Sequence, residues 1–196
     1  RTEDGPADPD VVAACQDASR RAIAAVDAAD RSVDDWDAHI TAMADLESGK
    51  NTEAETKAIW TKTRLEGPGR VERYRQAKAE YWQVHGACER TLQEAHRQKA
   101  GTMRLTSAQR AYVQRCQELS ASVARTLNAA DQAVAEWKAH LKAMADRRAG
   151  KLHPDTAQQM WLEAYRKAPT NINAFREAQA ELRQAQASCP TGRGGS

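Results

Sequence analysis

The chain repeats itself, and that limits the folds open to it more than any other feature. A shift of 101 positions lays Cys15 on Cys116, Trp36 on Trp137, His39 on His140, Met43 on Met144, Trp60 on Trp161, Pro68 on Pro169 and Cys88 on Cys189. From Val12 to Cys88 the match needs no gap, and 25 of 77 positions are identical. Between Ala28 and Lys50 the match rises to 13 of 23. Self-similarity of this kind points to a tandem duplication, so the architecture is read one copy at a time.

Each copy reads as helix. Val12, Cys15, Ser19, Ala22, Val26, Ala29, Val33, Trp36, Ile40 and Met43 advance in steps of three and four, one apolar stripe of helical period. The stripe predicts a long first helix over 10–46, opened by Asp8-Pro9-Asp10 and stopped near Gly49, with the same stop at Gly150. The return arm reads as broken. A capping-box pattern at Thr52–Glu55 starts a short helix through Trp60, and Gly67-Pro68-Gly69 ends it. A medium helix then carries Val71, Tyr74, Ala77, Tyr81, Val84 and Cys88.

The expected fold is therefore all-α: a tandem duplication of a three-helix (long-short-medium) antiparallel hairpin, each repeat pinned by one disulfide. The expected segments are a flexible leader (1–9), repeat 1 (10–88), a partly helical linker (89–106), repeat 2 (107–189) and a flexible tail (190–196). Side by side the two repeats make one bundle and end to end a rod; the sequence leaves both open and leans to a partly rigid elongated tandem.

The four cysteines support the hairpin. Cys15 to Cys88 and Cys116 to Cys189 are both 73 apart, at opposite ends of each long helix and return arm. An antiparallel return brings those ends together, so the expected pairs are Cys15–Cys88 and Cys116–Cys189. The absence of C-x-x-C spacing disfavours zinc. Disulfides imply an oxidising compartment: secreted, periplasmic or cell-surface. The chain begins at Arg1, which suggests a mature form or a trimmed ectodomain.

Charge narrows the partners. Lys+Arg number 29 against 27 Asp+Glu, a net charge of +2, which offers no electrostatic case for nucleic acid. No apolar run approaches the ~20 residues of a membrane span. G-x-S-x-G, H-E-x-x-H, Walker and G-x-G-x-x-G motifs are missing, so the chain reads as non-catalytic. The expected role is an extracytoplasmic helical-repeat binding module that acts as an interaction, sensor or scaffold unit with another protein as partner. That role needs no cofactor.

One motif suggests an alternative. In W-x-x-H-x-x-x-M, Trp36, His39 and Met43 share a helix face, as do Trp137, His140 and Met144. An imidazole and a thioether one turn apart suit Cu(I), or axial ligation of haem. A pseudo-twofold packing of the repeats brings two such pairs together. The plainer reading keeps Trp and Met as core and places each His at the stripe's border, paired with the carboxylate four residues earlier, Asp35 or Glu136. Asp30/Asp131 and Asp45/Asp146, also kept in both copies, read as structural partners of an Arg or of a turn. Trp60 and Trp161 read as buried plugs under the short helices. Tyr81, Trp82 and His85 form the candidate binding surface peculiar to repeat 1, since Arg183 stands opposite Trp82.

Overall fold

The computed structural model describes residues 9–98 and 107–186. Five helices account for them: α1 (Pro9–Glu47), α2 (Glu53–Val84), α3 (Ala87–Gln98), α4 (Ser107–Arg148) and α5 (Pro154–Gln186). No strand occurs among the described residues, and no described helix is long and apolar enough to cross a membrane.

The two hairpin turns follow local chemistry. Gly49 and Gly150 have φ of 73° and 71°, a left-handed backbone that glycine adopts without strain. Lys50 N donates to Asp45 O at 2.8 Å, and Gly49 N to Leu46 O at 3.1 Å, which closes a Schellman motif. Lys151 and Gly150 repeat the pattern on Asp146 and Arg147. Thr52 then caps α2: its hydroxyl accepts from Glu55 N, while its own N–H donates to Glu55 Oε2 at 2.7 Å.

The return arm is one helix, not two. α2 runs unbroken through Gly67-Pro68-Gly69, and α5 runs through Pro169. The sequence pattern predicts a break because proline removes a helical N–H donor. Tertiary burial outweighs that local cost. Thr56, Thr63, Gly67, Tyr74 and Tyr81 make a buried face that crosses Pro68, and a break there would lift half of it off the core. α2 instead ends at Val84. His85 and Gly86 form a turn, and Cys88 lies in α3.

Cys15 and Cys88 sit at disulfide distance, their Cα atoms 4.3 Å apart. Cys116 is buried. Cys189, the ends 1–8 and 190–196, and the linker stretch 99–106 lie outside the described residues.

The hairpins α1/α2 and α4/α5 pack side by side, which corrects the elongated tandem. α1 and α4 form the central pair, with α2 and α5 on their outer flanks. Trp36 stacks on Trp137 at 5.0 Å, and Cys15 and Cys116 line one small cavity further along. The central helices therefore run parallel and in register. Alanines make their close approach possible: Ala25, Ala29, Ala130 and Ala133 have no exposed surface.

Asp30 and Asp131, the carboxylates kept at matching positions, tie each hairpin to the other. Arg176 of α5 forks to Asp30 and Asp34 of α1. Asp131 of α4 accepts from Tyr74 Oη and Lys78 Nζ of α2, both at 2.7 Å. With both hairpins contributing to one apolar cluster, neither half covers its long-helix stripe alone.

Candidate functional site

The alanine seam ends at the stacked indoles of Trp36 and Trp137. Both rings are fully buried, and among the described residues no hydrogen-bond partner meets either Nε1. Beyond them, toward the hairpin turns, His39 and His140 face each other across the α1/α4 seam. Their Nε2 atoms are 3.2 Å apart and the two residues are only 3% and 6% exposed.

These are not border histidines, and Asp35 and Glu136 do not hold them. Asp35 turns to Arg70 Nη1 at 2.9 Å, and Glu136 accepts from Asn171 Nδ2 at 2.7 Å. The i,i+4 spacing on α1 and α4 allowed a carboxylate–His contact, but the return helices offer both carboxylates other partners. Burial raises the Asp35 carboxyl above its ordinary range, with Arg70 opposing.

The His39 ring is set by α2. Its Nδ1 lies 2.8 Å from Thr63 Oγ1. That hydroxyl also lies 2.9 Å from the Ile59 carbonyl, which can only accept. With the hydroxyl proton on Ile59 O, the Nδ1–H of His39 donates to Thr63. Nε2 is then left with a lone pair, aimed at His140. Trp60 Nε1 donates to the His39 carbonyl at 2.9 Å and covers the ring at 5.8 Å. Ala164 stands where α5 would need a matching hydroxyl, so among the described residues only His39 has this support.

Burial drives both imidazoles toward the neutral form. The His39 pKa is lowered from 6.5 to about 3, with His140 adding repulsion, and that of His140 is lowered to about 4. Neutral imidazole is the state that binds metal.

Above the pair opens a cleft of about 450 Å³. Met43 and Met144 line it along with the two histidines, so the four side chains of the repeated motif share one site. Trp60 and Trp161 flank it, half-buried and not the full plugs expected. Among the described residues no group of three or more His, Cys, Asp or Glu is gathered to hold a metal. A metal held here relies on thioether sulfur beside the two nitrogens.

The Tyr81, Trp82, His85 surface divides. Tyr81 is buried, its hydroxyl 3.5 Å from Ser120 Oγ on α4. Trp82 remains 44% exposed, with His85 edge-on to it at 4.8 Å. Arg64 and Lys57, which line the large cleft, were not singled out by the repeat, because Tyr165 and Gln158 replace them in the second copy.

Comparison with protein-family models, curated proteins and solved structures finds no match to the chain, so a functional reading rests on this geometry.

Proposed function

We propose that the protein is a non-catalytic, extracytoplasmic binding module that carries a soft monovalent ion, Cu(I), between two duplicated hairpins. The observation that carries this reading is the facing pair of His39 and His140, Nε2 to Nε2 at 3.2 Å, in a cleft that Met43 and Met144 also line. Two nitrogens bound to one tetrahedral ion at about 2.0 Å stand about 3.3 Å apart, so the ring positions suit a shared ion. Neutral imidazole and thioether are the donors a soft ion prefers, and the set lacks the carboxylates that favour harder ions. The contact between the rings counts against haem. Bis-histidine haem needs its ligands on opposite faces of the macrocycle, with iron between them.

The Cys15–Cys88 pair supports an oxidising compartment. In this reading each hairpin carries its own disulfide, the second being Cys116–Cys189, and non-reducing peptide mapping should return both. A Cys15–Cys116 peptide would overturn the duplicated-hairpin assignment. The partner is the protein that supplies or receives the ion.

The test is a competition titration of Cu(I) against a chromogenic chelator, with Ag(I) as a redox-inert second probe. The parent should take Cu(I) from the chelator at one equivalent and melt higher with either ion. Mass action gives about 2.7 kcal/mol of stabilisation at a free ion concentration a hundred times Kd. His39→Gln with His140→Gln should lose both effects. If the parent gains no stability and leaves copper on the chelator, the carrier reading fails.

A further inference from the structure

The cleft has room for more than an ion. Its volume of about 450 Å³ is in the range of small-molecule sites, and one metal at its buried floor fills little of that. Its walls have two characters. On α2, Lys57, Thr61 and Arg64 fall one turn apart on the face that also carries Trp60. On the far side stands Trp161 of α5.

Charge is confined to the α2 wall. Neither Lys57 nor Arg64 has a carboxylate partner among the described residues, whereas the half-buried Arg70 and Arg176 both do. Arg64 is itself half-buried, and among the described residues no carboxylate stands opposite it. A cation in that position attracts an anion more strongly than one in open water does.

Both apolar walls are held in place. The Trp60 indole is tied to the His39 carbonyl at 2.9 Å, and the Trp161 ring stacks on Tyr165 at 5.9 Å. Two fixed aromatic surfaces beside two unpaired cations form a site for a molecule with an apolar body and one anionic group.

We propose that the outer part of this cleft binds a small amphipathic organic anion, with its carboxylate or sulfonate on Lys57 and Arg64 and its apolar body between Trp60 and Trp161. The assignment goes beyond the metal reading and stands without it, because none of these four residues is a ligand to the ion.

The probes are 1-anilinonaphthalene-8-sulfonate and its uncharged analogue N-phenyl-1-naphthylamine, followed by dye fluorescence on the folded chain. The parent should bind the anionic dye at one site, with affinity that falls as salt is raised. Lys57→Gln with Arg64→Gln should weaken the anionic dye roughly tenfold, the loss of a partly desolvated ion pair, and change the neutral dye less than about twofold. Trp161→Ala should weaken both. His39→Gln with His140→Gln should keep the anionic dye, which separates failure of the metal site from failure of this one. Circular dichroism checks that each variant is folded. The proposal is overturned if the parent binds no anionic dye, or if the charge-removed variant binds it as the parent does. It is also overturned if that variant loses both dyes equally.

Discussion

Gly67 and Gly69 lie two residues apart in α2, and the structure assigns opposite outcomes to replacing them with alanine. A Cβ at Gly67 would stand 2.9 Å from Trp137 Cζ2 and 3.0 and 3.1 Å from the two Leu141 methyls. Trp137 is fully buried and stacked on Trp36, so it has nowhere to go, and Leu141 is 9% exposed in the same cluster. A Cβ at Gly69 meets nothing within 4 Å. Alanine favours a helix interior over glycine by about 1 kcal/mol, and this gain applies to both positions. Gly67→Ala adds an overpacking cost of about 1–3 kcal/mol. The helix gain cancels in the difference, so Gly67→Ala should be less stable than Gly69→Ala by about 1–3 kcal/mol, while Gly69→Ala exceeds the parent by about 1 kcal/mol. The ring of Pro68 crowds a Cβ on the residue before it and adds to the cost at Gly67, but α5 accepts the same arrangement at buried Ala168 before Pro169, so the difference rests mainly on Trp137 and Leu141. Urea denaturation followed by circular dichroism measures all three proteins. A cycle with Leu141→Ala should show coupling, because the shortened side chain frees space for the new methyl. Equal stabilisation by both glycine replacements would show that α2 does not lie against Trp137 and Leu141, and the side-by-side packing of the hairpins would fall with it.

Three further outcomes follow from the same packing. Trp137→Ala should cost about 3–5 kcal/mol as a core deletion, and a variant that melts like the parent would place the indole at the surface. Asp131→Ala should cost about 1–2 kcal/mol in urea melts, because it releases Lys78 and leaves the buried Tyr74 hydroxyl with only the Leu127 carbonyl, at 3.2 Å, as acceptor; no loss would mean that this tie between hairpins contributes nothing. In the metal-free protein, His39 and His140 hold pKa values near 3 and 4 against an ordinary 6.5, so the unfolded chain binds more protons between those limits and stability falls as pH drops below about 6.5. For two rings the fall from pH 7 to pH 5 is at most about 4 kcal/mol, partly offset by Asp35, whose raised pKa acts in the opposite direction. The His39→Gln, His140→Gln variant should lose most of that slope in urea titrations, and an equal slope in parent and variant would refute the assignment.

Much of the architecture was legible because it is local. The step of three and four along Val12 to Met43, Pro9 at the helix start and the glycines at 49 and 150 set α1, α4 and both turns within one or two residues. The equal cysteine spacing placed Cys15 beside Cys88 for the same reason: a chain that returns along a helix brings its ends together. The repeat also marked Trp36, His39 and Met43 with their counterparts, because matching side chains survive in both copies.

What lay beyond the sequence was every relation between distant segments. Whether α2 breaks at Pro68 depends on how much apolar surface the two sides of the proline bury together, a property of the helices packed against it. Whether His39 meets Asp35 or His140 depends on Arg70 drawing the carboxylate away and on α4 running parallel to α1 in register. Lys57 and Arg64 are ordinary helix-surface cations until Trp161 of the other hairpin closes the far wall. Period and spacing report which face of a helix is apolar, because that is written every three or four residues. Which partner covers the face, and which polar groups meet at its edge, is decided only when separate helices compete for the same buried volume.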